Sequence, residues 1–300
     1  MKKTIFKGVG VALVTPFSND KIDFNALQNI IEHVIQGGVD FLIALGTTGE
    51  TTSLSLEEQR AVLDFVIRIN NDRLPIVAGP FGGYNTAEIV TKIKHFNFDG
   101  IDAIMACSPP YVKPNQEGIY QHYMAIAAES PLPILIYNVP GRTASNITAD
   151  TTLRLAKASK KFAGVKDASD DVMQIMRIIK EQPDSFCTLS GDDFLTLPVI
   201  ASGGNGVVSV IANVFPTEFC RMAHAAIAGD YETARHYNNL LLDIYPLMFI
   251  DGNPVGPKAA LSILGLSKAD VRLPHTVMQK QNFETLKNKI ATLLASSLVS

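Results

Sequence analysis

Apolar positions along the chain alternate between two patterns. Short unbroken runs at 8–14, 41–45, 75–79, 101–106, 133–137, 162–166, 186–190 and 206–211 read as buried strands. Between them the apolar residues switch to helical spacing. Phe24, Leu27, Ile30, Ile31, Val34 and Ile35 line one face of a helix that stops at Gly37 and Gly38, and Val172, Ile175, Met176 and Ile179 line another. Cap residues mark helix starts: Ser55 with Glu58 three residues on makes a capping box, and Thr86, Thr148 and Ser169 stand where three further helices open. Eight strands with helical connections predict a (β/α)8 TIM barrel. An open doubly wound sheet would use the same alternation, but the chain carries no dinucleotide-binding glycine fingerprint. Beyond about residue 217 the pattern is helical throughout. The organisation expected is a barrel over residues 1–229 followed by a C-terminal helical bundle over 230–300.

Composition narrows the class without changing the fold. With 47% hydrophobic and 18% charged residues, the chain has ample core for an ordinary globular protein. A net charge of −3 supplies neither the basic footprint of a nucleic-acid binder nor a polybasic membrane face. No apolar run approaches the length of a membrane span. Lys7 and Gly8 interrupt the short apolar stretch after the first residues, so no signal peptide is expected. Cys107, Cys187 and Cys220 are odd in number and share no ligand spacing, which points to reduced thiols and a cytoplasmic location.

In a barrel of this kind the chemistry sits at the carboxyl ends of the strands. There the chain places Thr47, Thr48, Tyr111, Tyr137, Arg142, Lys166, Gly191 and Asp192. Lys166, read as the last residue of the sixth strand, organises the rest. Desolvating an ammonium is costly, and the free amine is the form that attacks a carbonyl. Taken singly, each residue has a plainer role: Lys166 can snorkel to solvent, Thr47 and Thr48 can satisfy a turn, Tyr137 can bury its ring and wet its hydroxyl, and Arg142 can be a solvated charge. Taken together, a strand-end amine among hydroxyls with an arginine nearby suits carbanion chemistry through an imine. Hydroxyls then move protons and the arginine holds a carboxylate. A catalytic metal is not expected, because neither paired histidines nor a histidine with clustered carboxylates falls on this rim. His33, His95, His122, His224, His236 and His275 fall on predicted helices or in the tail and read as packing or surface residues. The glycine-rich run at 203–206 could cradle a phosphate, although it precedes the eighth strand rather than following it.

Six stretches carry a resemblance: Gly-Thr-Thr-Gly-Glu at 46–50, Tyr-Asn-Val-Pro-Gly-Arg-Thr at 137–143, Gly-Val-Lys-Asp at 164–167, Leu-Ser-Gly-Asp at 189–192, Gly-Val-Val-Ser-Val at 206–210 and Gly-Asn-Pro-Val-Gly-Pro-Lys at 252–258. Over essentially the whole chain they resemble the dihydrodipicolinate synthase / N-acetylneuraminate lyase family. The double threonine and the Arg142 loop resemble the synthase branch, since the lyase branch usually has serine at the first of those threonines. The resemblance implies a class I aldolase-type reaction with no metal or organic cofactor. Lys166 would form a covalent imine with pyruvate, a methyl proton would leave to give an enamine, and the enamine would attack L-aspartate 4-semialdehyde, a step of lysine and diaminopimelate biosynthesis. Carried over residue by residue, Tyr137 is the proton donor and acceptor beside Lys166, and Thr47 and Tyr111 complete a proton relay. Thr48 and the backbone of Val208 match the positions that hold the pyruvate carboxylate, Arg142 matches the one that binds the carboxylate of the aldehyde, and Gly191 and Asp192 line the mouth. The resemblance also implies a homotetramer built as a dimer of dimers. Another pyruvate-dependent lyase of the family, acting on N-acetylneuraminate or a 2-keto-3-deoxy sugar acid, stays open, as do a barrel that only binds its ligand and a phosphate-binding barrel enzyme.

Two features depart from the family pattern. Many synthases carry a tyrosine just before the relay tyrosine, whose counterpart reaches into a neighbouring subunit's site; here Pro110 precedes Tyr111. Lysine-inhibited members tend to carry histidines and an asparagine where this chain has Leu56, Gln59 and Tyr84. An effector would find those polar groups missing, so inhibition by lysine is expected to be weak or absent.

Overall fold

The computed structural model describes residues 6–297. Eight parallel strands close into a barrel: β1 (Gly8–Ala12), β2 (Phe41–Ala44), β3 (Ile76–Phe81), β4 (Ala103–Cys107), β5 (Ile134–Asn138), β6 (Phe162–Asp167), β7 (Cys187–Ser190) and β8 (Gly206–Ser209). Each pairs with its neighbours in sequence, and β8 closes on β1 with Val208 opposite Gly10. The helices α1 (Phe24–Gln36), α2 (Leu56–Asn70), α3 (Thr86–His95), α4 (Gln116–Glu129), α5 (Ala149–Ala158), α6 (Val172–Glu181), α7 (Thr196–Ala201) and α8 (Pro216–Ala228) follow the strands in turn. Side chains alternate across a strand, so each strand feeds two cores. Phe41, Ile43, Val77, Met105, Leu135 and Leu189 fill the barrel, whereas Leu42, Ala44, Ile104, Ile136 and Val165 pack outward in one layer with helix residues such as Leu27 and Ile30. Burial on both faces is why the strands read as unbroken apolar runs.

Strand ends differ from the predicted ones by no more than two residues, and Asp167 rather than Lys166 ends β6. The Ser55–Glu58 capping box opens α2, and Thr148 caps α5. Two other caps differ from expectation. Asn85, not Thr86, caps α3, because the Thr86 hydroxyl is engaged with His122 Nδ1 at 2.8 Å. Asp171, not Ser169, caps α6: Ser169 donates its hydroxyl to Asp167, and the Asp171 carboxylate accepts from Gln174 N at 2.9 Å.

A hairpin that the hydrophobic pattern does not reveal follows β1. Phe17–Ser18 pairs with Lys21–Ile22 across Asn19 and Asp20, both at positive φ as a tight two-residue turn requires. Arg272, from the C-terminal part of the chain, clamps it: the guanidinium donates to the Asp20 carboxylate at 3.0 Å and to the Asp20 carbonyl at 2.7 Å, and lies 4.5 Å from the Phe17 ring centroid. The C-terminal helices are α9 (Tyr231–Leu241), α10 (Val255–Ile263) and α11 (Lys280–Ser297), of which α9 packs on α8. Ala234, Leu241, Tyr245, Met248 and Leu261 from this part join the same continuous core as the strand–helix layer. Among the described residues, no helix is long and apolar enough to cross a membrane.

The glycine-rich run at 203–206 lies at the amino-terminal end of β8, opposite the strand exits. There Asn205 accepts from Gly8 N at 3.0 Å and from Thr188 N at 2.9 Å, which ties the starts of β1, β7 and β8 together.

Candidate active site

Alternation along β6 sends Val165 and Asp167 outward and Lys166 into the barrel mouth. Lys166 is only 6% exposed, and no carboxylate or carbonyl among the described residues accepts a hydrogen bond from its amine. Parallel register sets Tyr137 of β5 directly opposite it, and Cys107 of β4 opposite Tyr137. The lysine nitrogen lies 4.2 Å from the centroid of the Tyr137 ring. Burial pushes the Cys107 thiol up to about 11, so this neighbour is not a thiolate nucleophile.

Outward-facing Asp167 braces the turn into α6. Its buried carboxylate accepts from Asn138 Nδ2 at 3.2 Å, Ser169 N at 2.9 Å and Gln174 Nε2 at 3.1 Å. Burial raises its carboxyl above the ordinary range despite these donors. Asn138 also shapes the loop after β5, accepting from Ile147 N at 2.9 Å and donating to Asn146 Oδ1 at 2.8 Å. That loop contains the short helical turn Pro140–Thr143, which presents Arg142 at the surface. The Arg142 guanidinium makes no hydrogen bond or ion pair with any described residue. The loops after β4 and β5 are stitched together: Tyr111 N donates to Thr143 O at 3.0 Å, and the Ser108 and Ser145 hydroxyls meet at 2.8 Å. Tyr111 itself is 86% exposed at φ +71°, so its ring stands in solvent and is not packed against Tyr137 or Thr47.

The exit of β2 folds into two consecutive turns, Gly49 N donating to Gly46 O and Glu50 N to Thr47 O, each at 3.1 Å. The Thr15 hydroxyl holds the loop from β1 by donating to Gly49 O at 2.8 Å. Thr47 is half-buried, and Thr48 is buried. The Thr48 hydroxyl accepts from Asn253 Nδ2 at 3.0 Å. Glu50 is paired with Lys258 of α10, both side chains being essentially inaccessible to solvent. Burial pulls the Lys258 amine down to about 8, with the Glu50 carboxylate opposing the fall.

At β7, Gly191 N donates to Asp167 O at 2.7 Å, and a Cβ on Gly191 would lie 2.7 Å from the Ala168 Cβ, so only glycine fits. Half-buried Asp192 follows; burial raises its carboxyl, opposed by the Phe194 N–H and by the positive charge of Lys166. Asp193 is fully buried and holds the exit of β8, accepting from Val210 N at 3.1 Å and Ile211 N at 2.9 Å. Burial pushes its carboxyl up to about 6. Val208, 1% exposed, faces the barrel interior just below that exit.

The structure thus brings Lys166, Tyr137, Thr47, Thr48, Val208, Gly191 and Asp192 to one end of the barrel, with Arg142 on the adjoining loop and Tyr111 turned outward. Sequence reasoning missed Asn253, Lys258, Glu50, Asn138 and Asp193 as supports of this mouth. All five lie in or beside the quoted motifs, yet Asn253 and Lys258 meet partners more than 200 residues away. Among the described residues no three of His, Cys, Asp and Glu are grouped as a metal ion would need. A surface groove of about 1080 Å³ lies elsewhere, between α5 and α6, where Thr148, Met173, Gln174, Met176 and Arg177 line it.

Comparison with known proteins agrees with this architecture. The dihydrodipicolinate synthetase family matches residues 5–293. The 4-hydroxy-tetrahydrodipicolinate synthase of Parabacteroides distasonis is 45% identical over 288 residues, covering 96% of this chain and 97% of that protein. Crystalline dihydrodipicolinate synthase from Aquifex aeolicus is 38% identical and superposes with a TM-score of 0.91 over 96% of this chain and 98% of that one. The chloride-inhibited dihydrodipicolinate synthase from Acinetobacter baumannii, crystallised complexed with pyruvate, is 37% identical with a TM-score of 0.91 over 96% and 98% of the two chains.

Proposed function

Because the chain belongs to the dihydrodipicolinate synthetase family, we propose that it acts as a 4-hydroxy-tetrahydrodipicolinate synthase, joining pyruvate to L-aspartate 4-semialdehyde through an imine on Lys166. The observation that carries the reading is the buried amine of Lys166, which has no carboxylate or carbonyl partner among the described residues and is set by register against Tyr137. The bound pyruvate of the Acinetobacter relative supports the same first substrate here.

The amine attacks the ketone carbon of pyruvate, and the carbinolamine loses its hydroxyl as water with a proton from Tyr137. The resulting imine withdraws electrons from the methyl group, so a methyl proton leaves and an enamine forms. No metal or organic cofactor is needed, because the protonated imine is itself the electron sink. The enamine carbon then attacks the aldehyde carbon, whose oxygen takes up a proton. Finally the amine of the condensed chain displaces Lys166 and closes the ring. Thr47 extends the path by which Tyr137 exchanges protons, and the outward-turned Tyr111 completes the same path in a neighbouring subunit's site. Thr48 and the Val208 backbone hold the pyruvate carboxylate, and Arg142, with no partner of its own among the described residues, receives the carboxylate of the aldehyde. Gly191 and Asp192 border the same mouth.

The working form is a cytoplasmic homotetramer. Leu56, Tyr84, Tyr111 and Val112 are exposed apolar side chains beyond three consecutive strands, β2 to β4, and Met173 and Met176 are exposed on α6. Exposed large apolar side chains of this kind suit subunit contacts.

Initial rates with pyruvate and aspartate semialdehyde, set against cleavage of N-acetylneuraminate and 2-keto-3-deoxy sugar acids, test the substrate choice. Condensation without sugar-acid cleavage is expected. Efficient sugar-acid cleavage without condensation would overturn the assignment in favour of a lyase.

A further inference from the structure

We propose that Asn253, supplied by the C-terminal extension, is a positioning residue for the substrate carboxylate: it occupies the Thr48 oxygen as a hydrogen-bond donor and so leaves the Thr48 proton for the substrate. The inference rests on the reading of Thr48 as a carboxylate-binding residue.

A hydroxyl has one proton to give and two lone pairs to receive. Asn253 Nδ2 donates to Thr48 Oγ1 at 3.0 Å, and the two residues are 6% and 2% exposed. No carbonyl or carboxylate among the described residues accepts from Thr48 Oγ1. The Thr48 proton is therefore directed away from Asn253 and toward whatever enters the mouth. An anionic carboxylate is the acceptor that gains most from such a donor. Asn253 Oδ1 is also buried and has no partner among the described residues. An orphaned buried acceptor is costly. With the amide reversed, Oδ1 would take the only Thr48 proton and nothing would remain for the substrate. Asn253 thus keeps the Thr48 proton free at the expense of its own oxygen.

The segments bearing the two residues are fastened a second time. Two residues after Thr48, Glu50 pairs with Lys258, which lies five residues after Asn253. Lys258 Nζ also donates to Asp270 O at 2.9 Å, and Arg272 N donates to Glu50 at 3.2 Å. A buried ion pair adds little stability over a well-packed apolar pair, but it specifies geometry. Here it sets the register between the β2 exit loop and the start of α10, the register on which the Asn253–Thr48 contact depends.

The test measures pyruvate half-saturation for borohydride-trapped imine and for steady-state turnover. Asn253→Asp keeps the shape but makes the side chain a pure acceptor, which captures the Thr48 proton and adds a negative charge. Pyruvate half-saturation should rise about 10–100-fold, the equivalent of one lost charge-assisted hydrogen bond, while half-saturation for the aldehyde changes little. Asn253→Ala should raise pyruvate half-saturation in the native background but have no further effect in a Thr48→Val background, a coupling that a merely structural role would not produce. This cycle also decides the matter if Asn253→Asp does not fold. Native pyruvate half-saturation in Asn253→Asp, or equal effects of Asn253→Ala in both backgrounds, would overturn the inference while leaving the imine reading intact. Failure of the native protein to trap pyruvate at all would instead remove the imine reading, and this inference with it.

Discussion

Tyr137 and Lys166 stand directly opposite each other on adjacent parallel strands, with the lysine nitrogen 4.2 Å from the centroid of the phenol ring. Strand register, not a loop, sets this pairing. A one-residue slip of β6 against β5 would turn Lys166 out of the barrel and bring Asp167 in. Chemistry mounted on paired strands is held more firmly than chemistry on loops.

Tyr137→Phe keeps the ring and removes only the hydroxyl. Turnover should fall by about 10²–10⁴-fold, the range for loss of a positioned proton-transfer group, while the fold and the slow trapping of pyruvate on Lys166 persist. Steady-state kinetics beside a thermal melt check this, and unchanged turnover would remove Tyr137 from the proton path.

The barrel is legible in the sequence because strands buried on both faces leave unbroken apolar runs, and the helices between them keep a separate period. The positions of Lys166 and Tyr137 are legible because each terminates such a run, and that of Thr48 because it lies in the turn that leaves one. Other features depend on partners that no local pattern records. Thr86 loses its cap role to His122, and Ser169 loses its own to Asp167. Asn253 and Lys258 meet Thr48 and Glu50 across more than 200 residues. The hairpin of Phe17–Ser18 and Lys21–Ile22 has strands too short to show any alternation.

The Lys258–Glu50 pair makes a stability prediction that is independent of catalysis. Lys258→Met strands the Glu50 carboxylate in a solvent-free site and should cost about 3–5 kcal/mol. Glu50→Leu with Lys258→Met removes both charges and should recover much of that loss. Chemical denaturation of the single and double variants separates the two, and a double variant as unstable as the single would contradict the argument.

His122 makes the fold sensitive to acid. It is buried, and desolvation pulls its imidazole down from 6.5 to about 4. The folded pKa lies below the unfolded one, so the unfolded chain takes up this proton first. The contribution of His122 is complete above about pH 6.5 and is lost as pH falls from there toward 4. Melting temperatures of the native protein and of His122→Gln, measured between pH 7.5 and 4.5, should converge as the solution is acidified. Parallel curves would show that His122 does not carry this dependence.

Lysine should be a poor effector. The Gln59 amide already donates to Thr51 O at 3.1 Å and Leu54 O at 3.2 Å, and Leu56 is 73% exposed and apolar. The Gln59 N–H donors are thus engaged, and Leu56 offers no polar group to an amino acid. Activity should be nearly unchanged at about 1 mM L-lysine. Strong inhibition at that level, the mark of a coupling worth 1–3 kcal/mol or more, would refute this reading.

The central claim is that Lys166 carries the pyruvate. Borohydride reduction in the presence of pyruvate, followed by intact mass and peptide mapping, tests it most directly. A single reduced pyruvyl adduct on Lys166 is the predicted result. An adduct on another lysine, or none in folded protein that still binds pyruvate, would contradict it.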